Sequence, residues 1–222
     1  MGEPLKAILF DMDGVLIDSE PSYVRSDQRM FARLGIPFGD RELAAITGAN
    51  NRVVANLIIT WHPHLKESFE ELAAAYEDGL FDVLKTDVTQ LIPGAMDWIL
   101  RAKAAGLRVA IGSSSSDRMV FHVAETFGLT PLMDTIVTGE MVPRGKPHPD
   151  IYNKVCENLG LRPGQCLIIE DSTNGLKSGR ASGTRCAAFH GTNRHGLDLS
   201  DCDFAFDAFT EAAWTEHVLP LI

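Results

Sequence analysis

The chain has 222 residues, 45% of them hydrophobic, and a formal net charge of −10 at neutral pH. That length and apolar content provide for one sizeable core with room for a smaller inserted domain, and exclude simple disorder. The acidic balance excludes a general nucleic-acid binder, because phosphate backbones are held chiefly by clustered positive charge, while leaving room for one locally positive pocket.

Residues 5–10 form a mostly apolar run ended by Asp11, the pattern of a buried parallel strand with a polar carboxyl end. From about 22 to 85 helix-like segments follow at 23–34, 42–46, 53–61 and 67–81, separated by Gly35 to Pro37, Gly48 and the pair His62 and Pro63. The strand–helix rhythm then resumes. A helix is expected at 95–105, a strand at 107–111, a helix at 117–127, a short strand at 135–138, a helix at 150–159, a strand at 166–169, a helix at 175–181 and a strand at 184–189. Strands alternating with helices imply an α/β fold, a Rossmann-like doubly wound parallel sheet whose polar strand ends gather on one edge. The expected domains are a core of residues 1–18 and 87–222 and a helical cap of residues 19–86, able to act as a lid.

The acidic residues fall where this fold places ligands. Asp11 and Asp13 follow the first strand, and Gly14 lets the chain turn sharply. Two carboxylates this close favour a hard cation such as magnesium, although an aspartate pair after a strand serves equally as a turn or helix cap. Glu170 and Asp171 end another apolar strand and supply further acidic partners if both strand ends share one edge. Ser113 and the neighbouring Ser114 offer hydroxyls and amides to phosphate oxygens, and Lys146 offers a mobile positive charge.

These residues resemble, in order and setting, the haloacid dehalogenase superfamily, in its beta-phosphoglucomutase-like and CbbY-like branch. Asp11 to Gly14 match the first motif, Ser113 the second, Gly145 to Asp150 around Lys146 the third, and Glu170 with Asp171 the fourth. The resemblance implies that Asp11 attacks phosphorus to form an aspartyl-phosphate and that Asp13 protonates the leaving oxygen before activating water or an acceptor. It also implies Mg2+ held by Asp11, Asp171 and the backbone carbonyl of Asp13, with Glu170 as a ligand or as partner to one. In this branch a cap arginine binds phosphate, and Arg52 is the candidate, with a surface helix arginine as the equal alternative.

Tyr23 stands where related mutases have a histidine, which favours a phosphatase for a small phosphorylated metabolite, a sugar or polyol phosphate, over a sugar-phosphate mutase. A non-catalytic phosphometabolite-binding regulator is the third reading. Asp13 separates the chain from haloacid dehalogenases and phosphonatases, which lack an aspartate there. No nucleic acid or membrane partner is expected: no apolar stretch is long enough to span a bilayer, and 5–10 lacks the flanks of a signal peptide. Cys156, Cys166, Cys186 and Cys202 lack both metal-site spacing and disulfide-scaffold density, so a reducing, cytoplasmic setting is expected, with the chain a monomer or weak homo-oligomer. His62 with His64, and the loop of His190, Asn193, Arg194 and His195, read more simply as solvated loops than as sites.

Overall fold

The computed structural model describes residues 3–46, 51–88, 90–192 and 196–222. Gly48, Asn193, Arg194 and His195 lie outside them. Strand β1 (Ala7–Phe10) is buried at every position, which an apolar run achieves only with neighbours on both edges and cover on both faces. Helices α1 (Glu20–Leu34), α2 (Asp40–Ile46), α3 (Asn51–Trp61) and α4 (Phe69–Asp87) follow before the chain returns to the sheet. The remaining core elements are α5 (Ala95–Ala104), β2 (Arg108–Gly112), α6 (Asp117–Thr126), β3 (Thr135–Val137), α7 (Asp150–Leu159), β4 (Cys166–Glu170), α8 (Thr173–Ser182), β5 (Arg185–Phe189) and β6 (Phe204–Phe206). The six strands are parallel, in the order β3-β2-β1-β4-β5-β6. The chain winds away from β1 in both directions, so the order switches beside β1, where doubly wound sheets leave a crevice at the carboxyl ends of the strands.

Two compact units result: Met1–Asp18 with Gln90–Ile222, and Ser19–Thr89. The first carries the sheet. Its far edge was not expected from sequence, because β6 has only three residues, with Ala205 exposed. Packing supplies what its length does not. Trp98 of α5 stacks on Phe206 at 4.9 Å and meets Phe209 and Trp214 edge-on, while its indole N–H donates to the Thr210 carbonyl at 3.0 Å.

The helical unit is built on α1 against α4. Gly35 ends α1 in the left-handed conformation, and Ser68 opens α4 with a capping box, its hydroxyl accepting the Glu71 N–H while the Glu71 carboxylate accepts the Ser68 N–H. Between the two helices Tyr76 donates its hydroxyl to the buried Asp27 carboxylate at 2.6 Å. Burial pushes Asp27 from 3.8 up to about 6, against the pull of the Tyr76 hydrogen bond. A folded value above the unfolded one means this group's contribution to stability is complete below about pH 4 and lost as pH rises through about 6. The separation sets a ceiling of roughly 3 kcal/mol. Asp27→Asn keeps an acceptor for Tyr76 but carries no charge. Thermal melts of variant and parent are expected to diverge in the variant's favour between pH 4.5 and 7.5; a difference that stays constant across that range would show that burial does not raise Asp27 above its unfolded value.

Candidate active site

Strand register brings the acidic residues to one level. Phe10 pairs with Ile111 of β2 and Ile169 of β4, so the next residues, Asp11, Gly112 and Glu170, lie side by side at the carboxyl ends of the strands. The Asp11 N–H donates to the Ile169 carbonyl at 3.0 Å, which ties the start of the turn to β4. Lys146 reaches this point from the loop before α7. Its ammonium donates to Asp11 Oδ1 at 2.8 Å, the Gly112 carbonyl at 3.0 Å and Glu170 Oε1 at 2.6 Å. Glu170 Oε1 also accepts the Tyr152 hydroxyl at 2.6 Å, and its Oε2 accepts the Ser172 hydroxyl at 3.0 Å. Ser172 in turn caps α8 by accepting the Gly175 N–H.

The electrostatics of the cluster are unbalanced. Ligand oxygens of Asp11, Glu170 and Asp171 lie within 4.8 Å of one another, against the single ammonium of Lys146. Burial, then repulsion from Glu170, raises Asp11 to about 7 despite the attraction of Lys146. Burial and the charges of Asp11 and Glu170 hold Asp171 well above the usual carboxylate range. Burial alone would lower Lys146, but the Asp11 and Glu170 carboxylates keep it above its ordinary value, so it stays charged. The groups therefore carry more negative charge than the protein itself neutralises.

Two glycines make the room. A side chain on Gly14, whose φ is +77°, would meet Asp171 Oδ2 at 1.7 Å, and one on Gly175 would meet the Glu170 carboxylate carbon at 1.9 Å. Only a bare α-carbon lets each carboxylate occupy its place. The turn itself is tight and dry: the Met12 carbonyl accepts the N–H groups of Leu16 and Ile17, the Gly14 N–H returns to the Ile17 carbonyl, and Met12, Val15, Leu16 and Ile17 are wholly buried. The Asp13 side chain lies outside the three-carboxylate group, and its Oδ2 accepts the Ser115 hydroxyl at 2.6 Å.

The structure thus brings Asp11, Lys146, Glu170 and Asp171 together, with Asp13 beside them. Ser113 is fully buried after β2, where its Oγ accepts the Ser115 N–H at 3.0 Å and fixes the loop, while Ser114 is exposed. Arg52 belongs to the helical unit. There it pairs with Glu70 at 3.1 Å and lies over the Phe69 ring. His62 and His64 stack edge-on at 5.8 Å, and among the described residues the group with metal-ligand spacing is the carboxylate trio. Sequence reasoning missed Tyr152, Ser115, Ser172 and Thr192. Tyr152 and Ser172 carry local signals only as a helix core residue and a helix cap, and the contacts of Ser115 and Thr192 come from chain brought close by the sheet.

The trio fits a hard divalent cation on its own chemistry. All donors are oxygens, burial and then mutual repulsion push Asp11 and Asp171 up, and two positive charges would offset the excess left by Lys146.

A parallel sheet carrying this acid cluster at its order switch is the arrangement of one hydrolase family, and the chain belongs to it: the haloacid dehalogenase-like hydrolase model matches residues 5–183. Within that family it is a CbbY-like member and an enzyme of the phosphatase type. It is 31% identical over 215 residues to protein CbbY of Cereibacter sphaeroides, covering 93% of this chain and 94% of that one. Hexitol phosphatase B of Escherichia coli strain K12 is 32% identical over 180 residues, 81% of each chain. The crystal structure of a CbbY variant from Rhodobacter sphaeroides in complex with xylulose-(1,5)bisphosphate superposes with a TM-score of 0.79 at 28% identity, covering 93% of this chain and 96% of that one. No helix among the described residues is long and apolar enough to cross a membrane.

Proposed function

We propose that the chain is a magnesium-dependent phosphatase that hydrolyses a sugar or polyol monophosphate through a phosphorylated Asp11. The observation that carries this reading is the contact of Lys146 with Asp11 at 2.8 Å inside a buried cluster with Glu170 and Asp171. A nucleophilic carboxylate must be ionised, and burial and Glu170 push Asp11 up to about 7 even beside Lys146. Lys146 favours the ionised form from one side. Asp11, Asp171, Glu170 and the Asp13 carbonyl would hold Mg2+, which when bound neutralises carboxylate and phosphate charge as a Lewis acid. Glu170 already accepts Lys146 and Tyr152 at one oxygen and Ser172 at the other, so its main part is to hold Lys146 in place.

The chain's own residues then divide the reaction. An Asp11 oxygen forms a bond to phosphorus as the bond from phosphorus to the substrate oxygen breaks, and Asp13 gives that leaving oxygen its proton. The same carboxylate next takes a proton from water as water attacks phosphorus, releasing phosphate and freeing Asp11. Lys146 and the loop ordered by Ser113, with Ser114 on it, stabilise the oxygens of the transferring group. The Ser115 hydroxyl holds Asp13 meanwhile, and the unit Ser19–Thr89 acts as the cap, with Arg52 offered to the substrate.

Hexitol phosphatase B and the CbbY complex with xylulose-(1,5)bisphosphate both point to phosphorylated carbohydrates. A panel of hexitol, hexose and pentulose phosphates with Mg2+, read for phosphate release and for isomer formation, tests the substrate class. Efficient phosphate release from a member is expected; interconversion of a sugar phosphate primed with its bisphosphate, with negligible release, would instead make the chain a mutase. Folded protein that binds panel members but neither releases nor transfers phosphate would be a regulator. We also infer a monomer or weak homo-oligomer in a cytoplasmic setting, the latter supported by four cysteines that stand as free thiols.

A further inference from the structure

Beyond the residues that touch phosphate or metal, one hydroxyl joins three strand ends. Thr192, buried just after the end of β5, donates to the Gly14 carbonyl at 2.7 Å, and its Oγ1 lies 3.3 Å from Asp171 Oδ2. Gly14 sits in the turn after β1, and Asp171 follows β4. The same Asp171 oxygen rests against the bare α-carbon of Gly14, where a side chain would meet it at 1.7 Å. The carboxylate is therefore wedged between a backbone turn and a threonine, and Thr192 holds both walls of the wedge.

We propose that Thr192 is a positioning residue for the cation site, fixing Asp171 against the Gly14 turn so that its oxygen stands at a set distance from Asp11. The inference rests on the metal-dependent reading above. Magnesium demands near-ideal octahedral geometry at about 2.0–2.1 Å, so a ligand free to rotate binds it less well than one already in place. Groups hydrogen-bonded behind metal ligands accordingly change affinity by about 10–100-fold when removed. The one hydroxyl proton is shared, mainly with the Gly14 carbonyl at 2.7 Å and in part with Asp171 Oδ2 at 3.3 Å, so the hydroxyl, beyond the space it fills, ties the turn and the carboxylate together. Thr192 has no part in bond making, so its effect belongs to metal binding and not to proton transfer.

The test is calorimetric titration of the full chain with Mg2+ in the absence of substrate, which reads affinity independently of turnover. Thr192→Val keeps the shape and removes the donor, and is expected to weaken binding about tenfold. Thr192→Ser restores the hydroxyl and is expected to return affinity to within about twofold of the parent, a rescue that a purely space-filling role would not give. Thr192→Ala makes the same comparison if the valine variant does not fold. Parent-like affinity in both the valine and alanine variants, or a serine variant as weak as they are, would overturn the proposal. A parent protein that binds no Mg2+ would remove the metal reading and this inference together, whereas parent binding with unaltered variants would remove Thr192 alone.

Discussion

Asp11→Asn is expected to lower turnover by at least about four orders of magnitude while leaving the protein folded. The amide matches the carboxylate in shape but cannot form the bond to phosphorus. The fold is expected to gain, since an ionised Asp11 is opposed by burial and by Glu170, which raise it from 3.8 to about 7. That separation sets a ceiling of roughly 4 kcal/mol on the stabilisation of the metal-free protein at pH 8, reduced by the weaker bond to Lys146. The variant is therefore expected to melt at or above the parent without metal, and to be stabilised less by Mg2+. A variant that turns over substrate at even a hundredth of the parent rate would remove Asp11 as nucleophile.

Lys146→Met has the opposite effect on the fold. Among the described residues its ammonium is the positive charge in contact with Asp11 and Glu170, at 2.8 and 2.6 Å, and its side chain is only 6% exposed. Methionine fills a similar volume but leaves buried carboxylates facing each other, the situation in which removing one ion-pair partner costs about 3–5 kcal/mol. In a chain of this size that corresponds to a fall of about 10 °C in the melting temperature of the metal-free protein at pH 8. Turnover is expected to fall about a thousandfold even at saturating Mg2+, because a charge that stabilises the transferring oxygens is gone. Melting curves with and without metal, beside steady-state rates, check both effects. Unchanged stability would mean that the carboxylates are neutralised by some group other than Lys146.

Much of this arrangement can be read in the chain. The strands at 5–10, 107–111 and 166–169 are buried parallel runs, and such runs carry continuous apolar sequence that ends abruptly in polar residues. Since parallel strands leave the sheet in the same direction, an acid after the first and the third of these runs is enough to predict that Asp11 and Glu170 converge. Lys146 could be read as a mobile positive charge, and the resemblance to a known motif placed it at the site, because nothing in a loop lysine says that it turns inward. Strand β6 escaped notice since three residues give no periodicity, and its place depends on Trp98 and Phe209 packing beneath Phe206. Thr192 and Ser115 gave no signal either. A hydroxyl has too many innocent uses, and their partners Gly14 and Asp13 lie 178 and 102 residues away. Arg52 shows the converse: its side chain is held by Glu70 and Phe69, contacts that a helix pattern does not announce.

The central claim is that phosphate passes through Asp11, and rapid acid quench tests it most directly. Parent enzyme mixed with Mg2+ and a turned-over, phosphate-labelled sugar or polyol phosphate should be stopped within the first turnover and digested. The account predicts label on the peptide that carries Asp11, lost on treatment with hydroxylamine as an acyl phosphate is, and appearing and decaying fast enough to account for steady-state turnover. Full-rate phosphate release with no label on that peptide at any quench time, or label lying on Asp13, would contradict it.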